Sequence, residues 1–254
     1  AGDGICADVD GMCNLRAAIE ESNASANLAA GADIIRFNIP GAGPHVIQPS
    51  AALPNITKAV TIDGTSQPGF DSATSRPVIE IDGTNAGVEA SGFRVSGKGG
   101  GSTIRGLAIN RFNAHGVFVS RRDGVTIEHN FIGTDPTGTM DRGNAEAGIY
   151  IINAESNVVR QNTISGNDRF GVKIEGPQST GNLVTGNMIG INAAGASELK
   201  NRIANVEIAG APGNTIGGSS ADDRNVISGS KSGVAIRGGR ATDNVVIGNR
   251  IGTN

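Results

Sequence analysis

The amino-acid sequence predicts an all-β solenoid, a parallel β-helix, and three observations carry that prediction. The first is a repeated sentence. A glycine-led apolar couplet appears as Gly116-Val-Phe-Val, Gly148-Ile-Tyr-Ile, Gly171-Val-Lys-Ile and Gly233-Val-Ala-Ile, with Asn205-Val-Glu-Ile in the fourth place. A repeat of about thirty residues marks units that bury their apolar faces only when a neighbour stacks on them. The second is the content of each unit. Two further short apolar runs follow each couplet, such as Val125-Thr-Ile and then Asn130-Phe-Ile, and their alternation has the period of a strand with one buried face. The third is glycine, 39 of 254 residues against an ordinary share of about 7%, which suits the sharp corners of every coil.

Asparagine recurs at one corner, as Asn130, Asn162, Asn187 and Asn249. In a parallel solenoid equivalent side chains lie ~4.8 Å apart, so these residues are expected either to form an amide ladder or to act as turn formers. The first half is less regular. Thr61-Ile-Asp-Gly-Thr65 recurs as Glu80-Ile-Asp-Gly-Thr84, which predicts one short coil between them and a stacked pair of carboxylates, Asp63 and Asp82. Two carboxylates that close would split their pKa values or hold a cation, calcium being the candidate. Two ordinary Asx turns are the favoured reading, and no cofactor is expected. At roughly 25 residues per coil, nine or ten coils are expected in one continuous domain.

The amino terminus carries the cap. Residues 1–30 are expected to hold a disulfide loop and a helix, and residues 31–254 the β-helix. Cys6 and Cys13 are the two cysteines and close a short loop, which predicts a disulfide in an exported protein. Asn14 through Asn23 predicts a short amphipathic helix with Leu15, Ala18, Ile19 and Ser22 on one face and Asn14 as N-cap. Such a helix would cover the open edge of the first coil. No leader peptide or membrane-spanning run is present, so the chain reads as mature or trimmed, without membrane insertion.

Cys13-Asn-Leu-Arg-Ala-Ala-Ile19 resembles the Cys-Ser-Leu-Arg-Glu-Ala-Ile segment that opens a large group of secreted bacterial right-handed parallel β-helix proteins. The resemblance continues through Ala32-Asp-Ile-Ile-Arg-Phe-Asn-Ile-Pro40, Val60-Thr-Ile-Asp-Gly-Thr-Ser-Gln-Pro-Gly69, Ile132-Gly-Thr-Asp-Pro-Thr-Gly-Thr139 and Asn225-Val-Ile-Ser-Gly229. It implies a right-handed helix, and a secreted or cell-surface location. Two departures, Asn14 for serine and Ala17 for glutamate, retain the N-cap but remove the capping box.

Charge excludes some partners. With a net charge of −3 and scattered cations, neither nucleic acid nor a membrane surface is expected, and Arg237-Gly-Gly-Arg240 reads as a turn. Polygalacturonase-like catalytic sets are absent: Asp222-Asp223 and Ala114-His115-Gly116 stand far apart and in the wrong order. Four phenylalanines, Phe37, Phe93, Phe118 and Phe131, are expected to face the core, leaving few rings for a sugar platform. His45, His115 and His129 are isolated in sequence. Asp8, Asp10 and Asp3 lack the remaining ligands of a calcium loop.

Two long inserts, Gly133 to Ala147 and Gly190 to Ala204, are expected at one corner. Their charged residues Asp135, Asp141, Arg142, Glu146, Glu198, Lys200 and Arg202 form the candidate binding face. The expected function is a secreted or surface β-helical scaffold or adhesive module for a polysaccharide or other cell-surface ligand. A polysaccharide lyase or glycoside hydrolase is the alternative. The chain stops within the repeat at Asn249-Arg-Ile-Gly-Thr-Asn254. That predicts an uncapped edge, which either continues into further coils or pairs tail to tail with a second copy.

Overall fold

The computed structural model describes residues 2–3, 5–7, 10–25 and 31–252. Three parallel sheets wrap into a right-handed β-helix. Sheet A runs from Asp33–Arg36 to Val245–Ile247 in eight strands, and sheet B from His45–Ile47 to Arg250–Ile251 in eight. Sheet C runs from Ile56–Lys58 to Ser232–Arg237 in seven. Among the described residues the chain therefore completes seven coils and begins an eighth, fewer than the nine or ten expected. Inserts lengthen individual coils: the one that starts at Val60 ends its sheet C strand only at Lys98.

Each sheet sends a column of aliphatic side chains into the interior. In sheet C, Val117, Ile149, Val172, Val206 and Val234 stack in register. In sheet B the column is Ile81, Ile109, Ile132, Ile164, Ile189 and Ile227. These residues are fully buried apart from Val234, which packs against the core's edge. At about 1.5–3 kcal/mol for each fully buried aliphatic side chain, repeated contacts between neighbouring coils are the chief apolar term.

The corners hold not one asparagine ladder but three. Between sheets A and B, the side-chain amide of Asn130 donates to Asn162 Oδ1 (3.1 Å), Asn162 to Asn187 (3.0 Å), Asn187 to Asn225 (3.0 Å) and Asn225 to Asn249 (2.8 Å). Between sheets C and A, Asn157, Asn182, Asn214 and Asn244 repeat the pattern. Between B and C, Asn144 donates to Asn167 and Asn167 to Asn201. Backbone geometry at the corners explains the choice of neighbours. The residue before each ladder asparagine often lies at positive φ, as Gly186 (65°) and Gln161 (55°) do. Glycine enters that region freely and other residues at a cost.

Asn205 stands where other coils place the couplet glycine, and the third ladder accounts for it. The next coil has Ser230 at the corner, so Asn201 donates instead to Asn205 Oδ1 (2.9 Å), which also accepts from Ser230 Oγ (2.6 Å).

At the amino end, the helix α1 spans Leu15–Ala24, and Asn14 Oδ1 accepts the Ala17 N–H at 2.9 Å. Leu15 and Ile19 join the core, and Ala17 rather than Ala18 is the buried alanine. Cys6 and Cys13 form the expected disulfide. Asp8 lies outside the described residues.

Removing an interior rung of a ladder should be costly, because the neighbours keep donors that water cannot reach. Asn187→Ala is expected to lose about 2–4 kcal/mol of stability, and Asn249→Ala, at the end of its ladder, less than about 1 kcal/mol. Urea denaturation of the two variants beside the parent checks the difference.

Candidate functional site

The acid pair expected from the repeated Ile-Asp-Gly-Thr does not form. Asp63 ends the sheet A strand Val60–Asp63 and Asp82 ends the sheet B strand Ile79–Asp82, so they lie on different faces of one coil rather than one above the other. What repeats is a local turn: each Oδ1 accepts from the N–H and hydroxyl of the threonine two residues on, Thr65 or Thr84. Arginines occupy the outer sides of the carboxylates, Arg105 on Asp63 (2.8 Å) and Arg111 on Asp82 (2.8 Å). Both groups are paired with cations of the protein.

Arg105 belongs to a ladder of alternating charge on the outer face of sheet A. Asp63, Arg105, Glu128 and Arg160 follow one another in register, with Arg160 2.6 Å from Glu128. Burial alone would raise the Asp63 pKa, but hydrogen bonds from Arg105 and Thr65 outweigh it and hold the carboxyl below its usual range.

The two inserts do rise from one corner, between sheets B and C, and touch through the Ala193 N–H donating to Gly138 O. Each of their charged residues has a partner within the protein. Asp135 is buried and accepts from Thr137, Thr139 and Met140, which makes it the organiser of its own turn. Asp141 accepts the Gly143 N–H at 3.0 Å. Arg142 reaches Glu80 on sheet B at 2.6 Å and ties the insert down. Glu146 pairs with Arg169 (2.9 Å), Glu198 with Lys200 (3.1 Å) and Arg202 with Asp168 (3.1 Å). Lys200 and Arg202, with Lys231, line a shallow recess beside sheet C.

The cluster that stands out lies on the outer face of sheet C, and the expectation that Phe118 faces the core is corrected there. With Val117 and Val119 inward, the strand period turns Phe118 outward. Phe131 likewise points out, under the insert at Gly138, while Phe37 and Phe93 are in the core. In register down the face run Arg94, Phe118, Tyr150, Lys173 and Glu207. The Arg94 guanidinium lies 4.5 Å from the Phe118 centroid, Phe118 lies 5.2 Å from Tyr150, and the Lys173 ammonium lies 5.1 Å from Tyr150. His115 joins from the side, 5.4 Å from Phe118 and 4.9 Å from Tyr150, and is not the isolated residue its sequence setting implied. Phe170 packs with Ala147 and Ala204 against Tyr150.

The protonation states of the cluster follow from its surroundings. Burial brings the His115 pKa down to about 4. Lys173, Arg94 and Arg169 reinforce the shift, and Glu146 opposes it. His115 Nδ1 accepts the Ala147 N–H at 3.2 Å, so the neutral ring carries its proton on Nε2. Burial and Glu175 raise the Tyr150 pKa, and its hydroxyl donates to Glu175 at 2.7 Å. Lys173 and Tyr150 hold the Glu175 carboxyl below its usual range. At neutral pH the face thus offers ring edges, a neutral imidazole donor, a phenol and paired charges.

Comparison with known proteins agrees with the fold. Residues 79–194, less than half of the chain, match the family model described as periplasmic copper-binding protein (NosD). Among solved structures, a mutant of the periplasmic alginate epimerase AlgG is similar, with a TM-score of 0.50 and 16% identity. The match covers 80% of this chain but 43% of that one. At that identity the likeness is one of fold. No curated protein matches. Copper favours cysteine, methionine and histidine ligands. Both cysteines here are in the disulfide, and among the described residues no three His, Cys, Asp or Glu side chains gather to hold a metal. His115 and His129 spend Nδ1 on Ala147 and Ser75. The described residues thus assemble no cluster of copper ligands.

A depressed carboxyl pKa adds stability above the ordinary carboxylate range and loses it as pH falls through the folded value. Between pH 5 and pH 2, the melting temperature of the parent should therefore fall further than that of Asp63→Asn, whose difference from the parent narrows as the acid titrates. Thermal melts across that range check the sign.

Proposed function

We propose that the protein is an extracytoplasmic β-helical binding module that holds an extended polysaccharide along the outer face of sheet C. The observation that carries this reading is the column Arg94, Phe118, Tyr150 and Lys173 with His115 beside it. Rings and hydrogen-bonding groups grouped on a rigid sheet suit sugars, which present both apolar C–H faces and hydroxyls. Rungs repeating every ~4.8 Å offer an extended polymer a row of evenly spaced contacts along its length. The disulfide supports an oxidising, extracytoplasmic setting, as does the likeness to periplasmic proteins. Among the described residues no helix is long and apolar enough to cross a membrane.

Binding is favoured over cleavage by the state of the acids and bases. Glycosidic hydrolysis needs two converging carboxyls, one of them kept protonated. On this face Glu146, Glu175 and Glu207 stand on successive coils, each paired with a cation. Lyase chemistry needs a free base, whereas His115 already uses its unprotonated nitrogen to accept a backbone N–H.

The test is affinity electrophoresis and calorimetry against a panel of acidic and neutral polysaccharides, with reducing ends and unsaturated products assayed in parallel. Tyr150→Ala is expected to weaken binding by about five- to a hundredfold, as loss of a ring contact of about 1–3 kcal/mol implies. Thr126→Ala, on the outer face of sheet A, should leave it unchanged. Equal binding by both variants, or sugar product released by the parent, would contradict the proposal.

A further inference from the structure

We infer that the polysaccharide is acidic and that Arg94 reads its anionic group. This rests on the sheet C reading above and adds the charge of the ligand to it. The cations of the face are unequal. Lys173 is 2.6 Å from Glu175, Arg169 is 2.9 Å from Glu146 and Arg237 is 3.3 Å from Glu207. Each is neutralised by a carboxylate on its own or an adjacent coil. Arg94 is exposed, stacks on Phe118, and no carboxylate among the described residues lies within ion-pair reach of it. A protein with a net charge of −3 thus leaves an unmatched guanidinium at the head of its aromatic column.

The geometry gives that charge a use. The guanidinium carbon rests 4.5 Å over the Phe118 ring centroid in a cation–π contact, and the exposed side of the group keeps N–H donors for a ligand. Arginine held this way presents a fork that matches the two oxygens of a carboxylate or the edge of a sulfate. The imidazole of His115, neutral and with Nε2–H as its donor, contacts the same Phe118 ring from the side at 5.4 Å. A sugar unit whose ring rests on the Phe118 and Tyr150 edges would set its acid against Arg94 and a hydroxyl or ring oxygen near His115. A neutral polymer would leave the guanidinium without a partner, and a cationic one would be repelled by it.

Polygalacturonate and its fully methyl-esterified form share one backbone and differ in charge, so the pair isolates the point. Alginate and a sulfated polymer extend the test to other acids. The parent should bind at least one acidic polymer. For polygalacturonate, the free acid should bind about tenfold more tightly than the ester. Arg94→Gln should remove that preference, and Arg94→Lys should restore part of it. Raising the salt concentration should weaken the parent more than Arg94→Gln. Equal affinity for acid and ester, with Arg94→Gln indifferent, would overturn the inference and leave the polysaccharide reading standing. No binding to any acidic polymer would overturn the inference, and failure of the neutral panel as well would overturn both. Circular dichroism and melting temperature of the Arg94 variants, altered on an exposed side chain, separate lost recognition from lost fold.

Discussion

A parallel β-helix must turn the backbone sharply three times per coil, and each turn leaves peptide groups inside the molecule that no strand can satisfy. The asparagine ladders meet that constraint. Asn187 shows the arrangement: its Oδ1 accepts both the backbone N–H and the side-chain N–H of Asn162, and its own amide donates to Val159 O, Thr185 O and Asn225 Oδ1. One side chain thus closes five hydrogen bonds at a site with almost no exposure. Aspartate would supply acceptors without donors and bury a charge, and glutamine is a methylene too long for the rung spacing. The ladders also fix register, because a slipped coil would break every rung at once.

With the corners fixed, sheet faces are free to differ. The outer face of sheet A is an ion ladder, Asp63, Arg105, Glu128 and Arg160, in which opposite charges alternate and pair with one another. The outer face of sheet C breaks that pattern with two rings and an unmatched arginine. Rungs of one fold therefore serve structure on one side and display chemistry on another, which separates fold from function in solenoids.

Much of this was legible in the sequence. The couplets at Gly116, Gly148 and Gly171 marked sheet C, and the corner asparagines marked one ladder. Ladders through Asn157 and Asn144 went unread, although Asn157, Asn182, Asn214 and Asn244 each stand directly before a sheet A strand. The pair Asp63 and Asp82 misled because a turn motif of four residues can recur at two corners of one coil, and spacing alone cannot distinguish corner from coil. Phe118 misled because three consecutive apolar residues, Val117 to Val119, hid the alternation that turns the middle one outward. His115 and Tyr150 are 35 residues apart in the chain, and only the coil register brings their rings together. The legible signal that pointed to Phe118 and Tyr150 was the period of two, applied strictly.

The central claim is that buried corner amides are as firmly bonded as the strands. Hydrogen exchange followed by NMR measures this directly. The backbone amides of Asn157, Asn162, Asn182 and Asn187, each donating to the asparagine of the next coil at 2.9–3.0 Å, should exchange as slowly as the flanking strand amides, with protection approaching that of global unfolding. Exchange at the rate of exposed loops, while the strands stay protected, would contradict the account.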